Sequence, residues 1–200
     1  MDFHIKAWHR ILNGLGANIS MAQMKEECYG KNSELLERIF PGRFSEEEKN
    51  KMGYDKEAAY QLAFKPFLKL LDGLDNFLVK VSKENIPMAI GSAAIIYNID
   101  FVLDGLHIRH YFPVIVAAEN VVLSKPDPET YIKCADELGV AYKNCIVFED
   151  APKGVEAAQN AGMQCVVLTT MHTKEEFSKY NNIICFVNDY TDPQLNNLFR

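Results

Sequence analysis

Ser124-Lys125-Pro126-Asp127-Pro128-Glu129 and, further on, Val147-Phe148-Glu149-Asp150-Ala151-Pro152-Lys153-Gly154-Val155-Glu156-Ala157-Ala158-Gln159-Asn160-Ala161-Gly162-Met163 decide how this chain is read. Each stretch follows a short apolar run and leads into an amphipathic one. Together they set a fixed cation and an adjacent carboxylate pair at the ends of two strand-like runs. A site for phosphate and a divalent metal needs that combination. Nothing N-terminal to them supplies a nucleophile to go with it.

Outward from these segments, short apolar runs recur at Ile86–Ile90, Val114–Ala118, Cys145–Phe148, Cys165–Leu168 and Ile183–Val187. Helix-like stretches separate them: Phe77–Glu84, a segment within Ala93–Leu103, Pro128–Leu138, Pro152–Ala161 and Lys174–Lys179. Such alternation indicates parallel strands buried on both faces, hence an open α/β sheet. Before Asp72-Gly73 the pattern is helical throughout. Ile5, Trp8, Ile11, Leu12 and Leu15 form one stripe, closed by Gly14 and Gly16. Met21, Met24 and Cys28 form a second. Ser33–Phe40 is a third, stopped by Pro41-Gly42. Ser45 with Glu48 reads as a capping box opening a fourth helix, and Ala58–Leu71 reads as a fifth. The expected division is a helical region, residues 1–72, and an α/β core, residues 73–200.

The chain has 200 residues, 48% of them hydrophobic, and a net charge of -6. That is enough for a packed core, and it argues against a nucleic-acid surface, which usually needs a basic face. No apolar run approaches the roughly 18 residues a membrane span requires, and no secretory leader is apparent. Five scattered cysteines without metal spacing suit reduced thiols and a cytoplasmic setting. None of the histidines has zinc spacing. His9, His107, His110 and His172 are expected to pack or sit at the surface.

In open α/β sheets, ligands bind beyond the carboxyl ends of the strands. Three strand ends carry polar groups. Ser92 follows Gly91 and precedes a helix; it is either an N-cap or, with neighbouring backbone N–H groups such as that of Ala93, a holder of a phosphate oxygen. Lys125 is held extended by Pro126. It is either a solvated lysine or a charge aimed into a site to neutralise phosphoryl oxygens. Glu149 and Asp150 either favour a helix N-terminus or share a hard cation such as Mg²⁺, which relieves their mutual repulsion. Gly30 and Lys31, between two helices, read alone as a helix stop and a surface charge.

From His4 to about Leu168 the chain resembles the haloacid dehalogenase-like phosphohydrolases, in particular the β-phosphoglucomutase-like group. Lys125-Pro126-Asp127-Pro128, Glu149 to Ala158 and Ala161-Gly162-Met163 carry the likeness. Ala89-Ile90-Gly91-Ser92 matches the family's second motif, and His4-Ile5-Lys6-Ala7-Trp8 matches the start of the group's helical cap. The resemblance implies a Rossmann-like core under that cap, with Mg²⁺ as cofactor. It implies Ser92, Ala93 and Lys125 around the phosphoryl group, Asp150 and Glu149 on the metal, His4 near the cap hinge, and Gly30 and Lys31 on the loop that meets the substrate.

Three departures accompany it. The family's first motif, Asp-x-Asp-Gly-x, with its nucleophilic and acid/base aspartates, is missing, and by alignment Asp2 falls in the cap helix. Ala151 stands where many members have serine. Asn32-Ser33 stands where sugar-phosphate mutases carry an arginine for a second phosphate. The missing strand belongs at the centre of the family's sheet, between the strands ending at Ser92 and at Glu149-Asp150. Those two must then show open edges or pair with each other. Several lost ladder bonds at about 0.5–1.5 kcal/mol each rival the roughly 5–15 kcal/mol that hold a domain together. The expectation is therefore a fragment of a longer enzyme. That enzyme is a Mg²⁺-dependent phosphatase of small phosphorylated metabolites, working through an aspartyl-phosphate and existing as a monomer or weak dimer. A phosphomutase is the first alternative and a non-catalytic remnant the second. The 200 residues alone are expected to be inactive.

Overall fold

The computed structural model describes residues 2–199. They divide into two units: residues up to Leu68 with Asp100–Val102, and Lys69–Ile99 with Leu103 onward.

The first unit is helical: α1 (Asp2–Gly14), α2 (Met21–Glu27), α3 (Asn32–Ile39) and α4 (Glu46–Phe64). The stripe read from the sequence is its core, with Ile5, Trp8, Leu12, Met24, Leu35 and Leu36 buried together. The Ser45–Glu48 capping box opens α4 in both directions, and Ser20 with Gln23 builds a second one on α2. The fourth and fifth expected helices are one. No breaker interrupts Glu46–Phe64, and Gly53 is used for close packing, since a methyl there would come within 3.3 Å of Asn32. The helix stops before Pro66, which has no N–H to give its ladder.

The second unit alternates helix and strand: α5 (Leu74–Lys83), β1 (Ala89–Gly91), α6 (Ile96–Gly105), β2 (Val114–Val116), α7 (Glu129–Leu138), β3 (Ile146–Glu149), α8 (Pro152–Asn160), β4 (Gln164–Leu168) and β5 (Ile183–Val187). Every pairing is parallel. β1 begins later than the apolar run Ile86–Ile90 because Asn85 turns left-handed (φ 56°) and Ile86 N–H closes back on Val81 O. β2 stops at Val116, and Ala118–Asn120 form a 3₁₀ turn fastened by the Asn120 side chain on Ala117 N–H (2.8 Å). Lys174–Phe177 is likewise a 3₁₀ turn, not the expected helix.

Among the described residues the strands form two pieces, β1 with β2 and β3-β4-β5 in that order. β1 and β3 do not pair with each other, so each keeps one open edge. β4 is paired on both sides, and Cys165–Leu168 are buried. α7 and α8 supply much of the covering layer, with Tyr131, Ala135, Val155, Ala157 and Ala158 packed on Val147, Cys165 and Val167.

Candidate active site

Gly91, Ser92, Lys125, Phe148, Glu149, Asp150, Leu168, Thr170, Tyr190 and Leu71 line one cleft of about 250 Å³ in the second unit. It lies beyond the carboxyl ends of β1, β3 and β4. Ser92, Lys125, Glu149 and Asp150, which sequence picked from three separate strand ends, therefore meet.

The loop that carries Lys125 is pinned along its length. Val122 and Leu123 donate their N–H groups to Glu129 Oε2 at 2.8 and 3.0 Å. Asp127 Oδ1 accepts from Glu129 N at 2.9 Å. Asn160 Nδ2 reaches Pro126 O at 3.0 Å. Lys133 bonding, with those two backbone donors, holds the Glu129 carboxyl down to about 2.

So directed, Lys125 Nζ donates to Glu149 Oε1 (2.7 Å), to the Tyr131 hydroxyl (2.7 Å) and to Gly91 O (3.3 Å). Tyr131 in turn donates to Glu149 Oε1 at 2.8 Å. Glu149 Oε2 accepts the N–H groups of Asp150 (2.8 Å) and Ala151 (2.9 Å) at the start of α8. Burial works against a charge on Glu149, yet the charge and bonds of Lys125 outweigh it and keep the carboxyl below its usual range. Burial, then the Glu149 charge, pushes the Tyr131 hydroxyl well above the usual phenol range.

These bonds bear on Glu149 as a metal ligand. A carboxylate has about four lone-pair sites, and here four protein donors take them. Asp150 is different. Thr170 Oγ1 donates to its Oδ2 at 3.3 Å. Burial, followed by Glu149, raises its carboxyl. A hard divalent cation suits such a group, since it would stabilise the charged form. Asp150 is thus the cleft carboxylate with fewer protein donors on it; among the described residues no three acidic, histidine or cysteine side chains gather where they could hold a metal ion.

Ser92 follows both readings in part. Its hydroxyl accepts from Ala94 N at 3.0 Å, as a cap does, and the side chain lines the cleft. Ala93 beside it is exposed. The helix after Ser92 starts only at Ile96, whose N–H is taken by both Glu119 oxygens (3.1 Å each), so that helix end is already neutralised by protein.

His4, Gly30 and Lys31 belong to the first unit. There His4 Nδ1 lies 2.9 Å from Lys56 Nζ and 3.5 Å from Glu57 Oε2, and its ring stacks on Tyr60 at 3.8 Å. Burial first, then the Lys56 charge, lowers the imidazole to about 4. Gly30 turns left-handed (φ 75°), and Lys31 is the N-cap of α3, its N–H bonded to Glu34 Oε2 at 2.9 Å. Sequence reasoning missed the buried pair Lys56–Glu57 in this unit, Thr170 and Tyr190 in the cleft, and Tyr131, bonded to the cleft residues Lys125 and Glu149. Each sits in a segment that reads locally as helix face or loop, and no motif marks it.

A parallel α/β sheet with a polar cleft at its strand ends defines a ligand-binding α/β protein. The chain belongs to the haloacid dehalogenase-like hydrolases, whose family model matches residues 1–168, and within them it is β-phosphoglucomutase-like. It is 30% identical over 163 residues to the Escherichia coli K12 fructose-1-phosphate phosphatase YqaB, covering 82% of this chain and 86% of that protein. It is 29% identical over 173 residues to the Bacillus subtilis 168 β-phosphoglucomutase, covering 82% of this chain and 75% of that one. A solved haloacid dehalogenase hydrolase of family IA, variant 3, from Entamoeba histolytica HM-1:IMSS superposes with a TM-score of 0.83 at 25% identity, over 96% of this chain and 87% of its own. No helix among the described residues is long and apolar enough to cross a membrane.

Proposed function

We propose that this chain carries the phosphoryl-binding part of a phosphohydrolase acting on small phosphorylated metabolites such as sugar phosphates. One observation carries the reading: Ser92, Lys125 and Asp150 share a single cleft, and the part-buried Lys125–Glu149 pair lines it too. A phosphoryl group brought there meets a fixed ammonium and a hydroxyl, and Lys125 stabilises the charge that grows on its oxygens during transfer. Asp150 would hold Mg²⁺, which supplies further neutralisation of the phosphoryl oxygens when bound. Glu149 keeps Lys125 in place. The nucleophile is an aspartate on a strand that is not among these residues, forming an aspartyl-phosphate that water then hydrolyses. The open edges of β1 and β3 are where such a strand would fit.

Hydrolysis is favoured over a mutase by Asn32. By the resemblance a mutase carries an arginine at this place in its cap loop for a second phosphate; here, although Lys31 is next to it and could substitute, the Asn32 amide is bonded to Glu57 Oε1 at 3.0 Å.

The test is phosphate release from fructose 1-phosphate and other sugar phosphates with Mg²⁺. The 200 residues alone are expected at background. Joined to a strand bearing Asp-x-Asp-Gly, they are expected to turn over and to lose activity on Lys125→Met. Enzymatic turnover by the 200 residues alone would show the nucleophile to be misassigned.

A further inference from the structure

We propose that Tyr131 is a positioning residue that aims the one disposable proton of the Lys125 ammonium at the phosphoryl site; this rests on the function proposed above. An ammonium has three N–H donors and no acceptor. On Lys125 all three have partners: Glu149 Oε1 and the Tyr131 hydroxyl at 2.7 Å each, and Gly91 O at 3.3 Å. The first two bonds are short and the third is long for an N–H donor. The weak bond is the one an incoming anion displaces.

The two strong bonds also fix the rotation of the ammonium about Cε–Nζ. With two of its three protons held, the third has one direction left. That direction ends at Gly91 O, the residue before Ser92, and both line the cleft. A phosphoryl oxygen lying between Ser92 and Lys125 takes the same proton. Glu149, with only the long bond to Gly91 O beside it, would leave the ammonium freer to turn. Tyr131 removes that freedom, because its hydroxyl accepts from Lys125 and donates to the same carboxylate oxygen that Lys125 binds.

The phenol is well supported for this task. It rides on α7, and the aromatic ring packs against the end of β1: a methyl built on Gly91 would lie 3.1–3.2 Å from Thr130, Tyr131 and Cys134. Tyr131 itself is 7% exposed. In the sequence it reads as one more apolar position of an amphipathic helix.

The experiment uses the full 200-residue chain, labelled with ¹⁵N-lysine, and inorganic phosphate as the probe. In the wild type at low temperature, the Lys125 NH₃⁺ resonance is expected to be observable, slowly exchanging and rotationally ordered; Lys125→Met assigns it. In Tyr131→Phe the same resonance is expected to exchange and rotate faster than in the wild type, while thermal unfolding stays a single transition. A wild-type Lys125 ammonium that already rotates freely overturns the proposal without any variant. So does a Tyr131→Phe ammonium as ordered as the wild type. Calorimetric titration of phosphate is the second arm. Tyr131→Phe is expected to weaken binding by about five- to tenfold, the loss of one charge-assisted bond's worth of direction. Equal or tighter binding by that variant overturns the proposal. Failure of the wild type to bind phosphate at all counts instead against the proposed function, and the ammonium resonance then decides on Tyr131 by itself.

Discussion

Lys125 and Glu149 have side chains only 12% and 10% exposed, so neither charge is well hydrated by itself. Removing one partner leaves the other buried and unpaired, which costs about 3–5 kcal/mol. Lys125→Met is accordingly expected to lower stability by about 3 kcal/mol in urea unfolding. Lys125→Met combined with Glu149→Leu is expected to recover most of that. If the double variant is as unstable as the single one, the cost lies in packing and not in the orphaned charge. His4 gives a second residue-scale prediction. Its imidazole is held near 4 in the fold, by burial and by Lys56, against about 6.5 in an open chain. Between those values the unfolded chain binds more protons, so stability rises with pH. The contribution of a neutral His4 is complete above about pH 6.5 and is lost as pH falls towards 4. Urea midpoints of the wild type should fall across that window, and those of His4→Gln should fall less. Legibility at this scale follows chemistry. Ser92, Lys125, Glu149 and Asp150 could be read because charge or hydroxyl at the end of an apolar run is conspicuous. Tyr131 and Tyr190 could not, because an aromatic ring on a core-facing position looks the same whether or not its hydroxyl is in use. Thr170 follows β4 in a loop without any pattern, and only the fold reveals that it donates to Asp150.

Elements were legible where a local cap or breaker fixes them and illegible where a distant contact does. The start of α4 is written in Ser45 and Glu48, and its end in Pro66. Its continuity past Gly53 is not, because that glycine is tolerated through its packing on Asn32 from another helix. β1 shows the same limit. The apolar run at Ile86 is pulled into a turn by Asn85, and the strand forms only where Val114 offers it a partner. α8 gives the prediction that belongs here. Gly154 lies in its first turn, under the Glu149 carboxylate, and a methyl group there would overlap that carboxylate. In an open helix, glycine to alanine gains about 1 kcal/mol. Here the methyl must push Glu149 off Lys125 and off the N–H groups of Asp150 and Ala151. Gly154→Ala is therefore expected to be destabilising, by about 1–3 kcal/mol in urea unfolding, and to weaken phosphate binding. A stabilising outcome would mean that Glu149 can leave its four donors at little cost.

At the scale of the second unit as a whole, the decisive fact is that its sheet is in two pieces. β4 is hydrogen-bonded on both sides and its last four residues are buried. β1 is three residues long and bonded on one side only, to β2. Among the described residues β3 is bonded only to β4. Between the two pieces run side-chain bonds: Lys125 ties Gly91 O, at the end of β1, to Glu149, at the end of β3. Backbone amides exchange in step with the free energy needed to open them, and that free energy follows burial and pairing. Hydrogen exchange should thus find the β4 amides most protected, those of β3 next, and those of β1 and β2 least. Phosphate supplies a test of how the pieces communicate. The partners proposed for it include Ser92, after β1, and Lys125, which is itself bonded to Glu149 at the end of β3. An anion held by Ser92 and Lys125 together would join the pieces, and binding to the folded state alone raises stability by mass action. Protection should therefore increase in β1 and β2 more than in β4 when phosphate is added, and Lys125→Met should abolish the increase. Addition of a strand bearing Asp-x-Asp-Gly should raise the same amides further, because it gives both open edges a backbone partner and not merely a shared ion. Equal protection of β1 and β4 before any addition would show that the two pieces already behave as one sheet, and the open edges would then have no place in the account of the site.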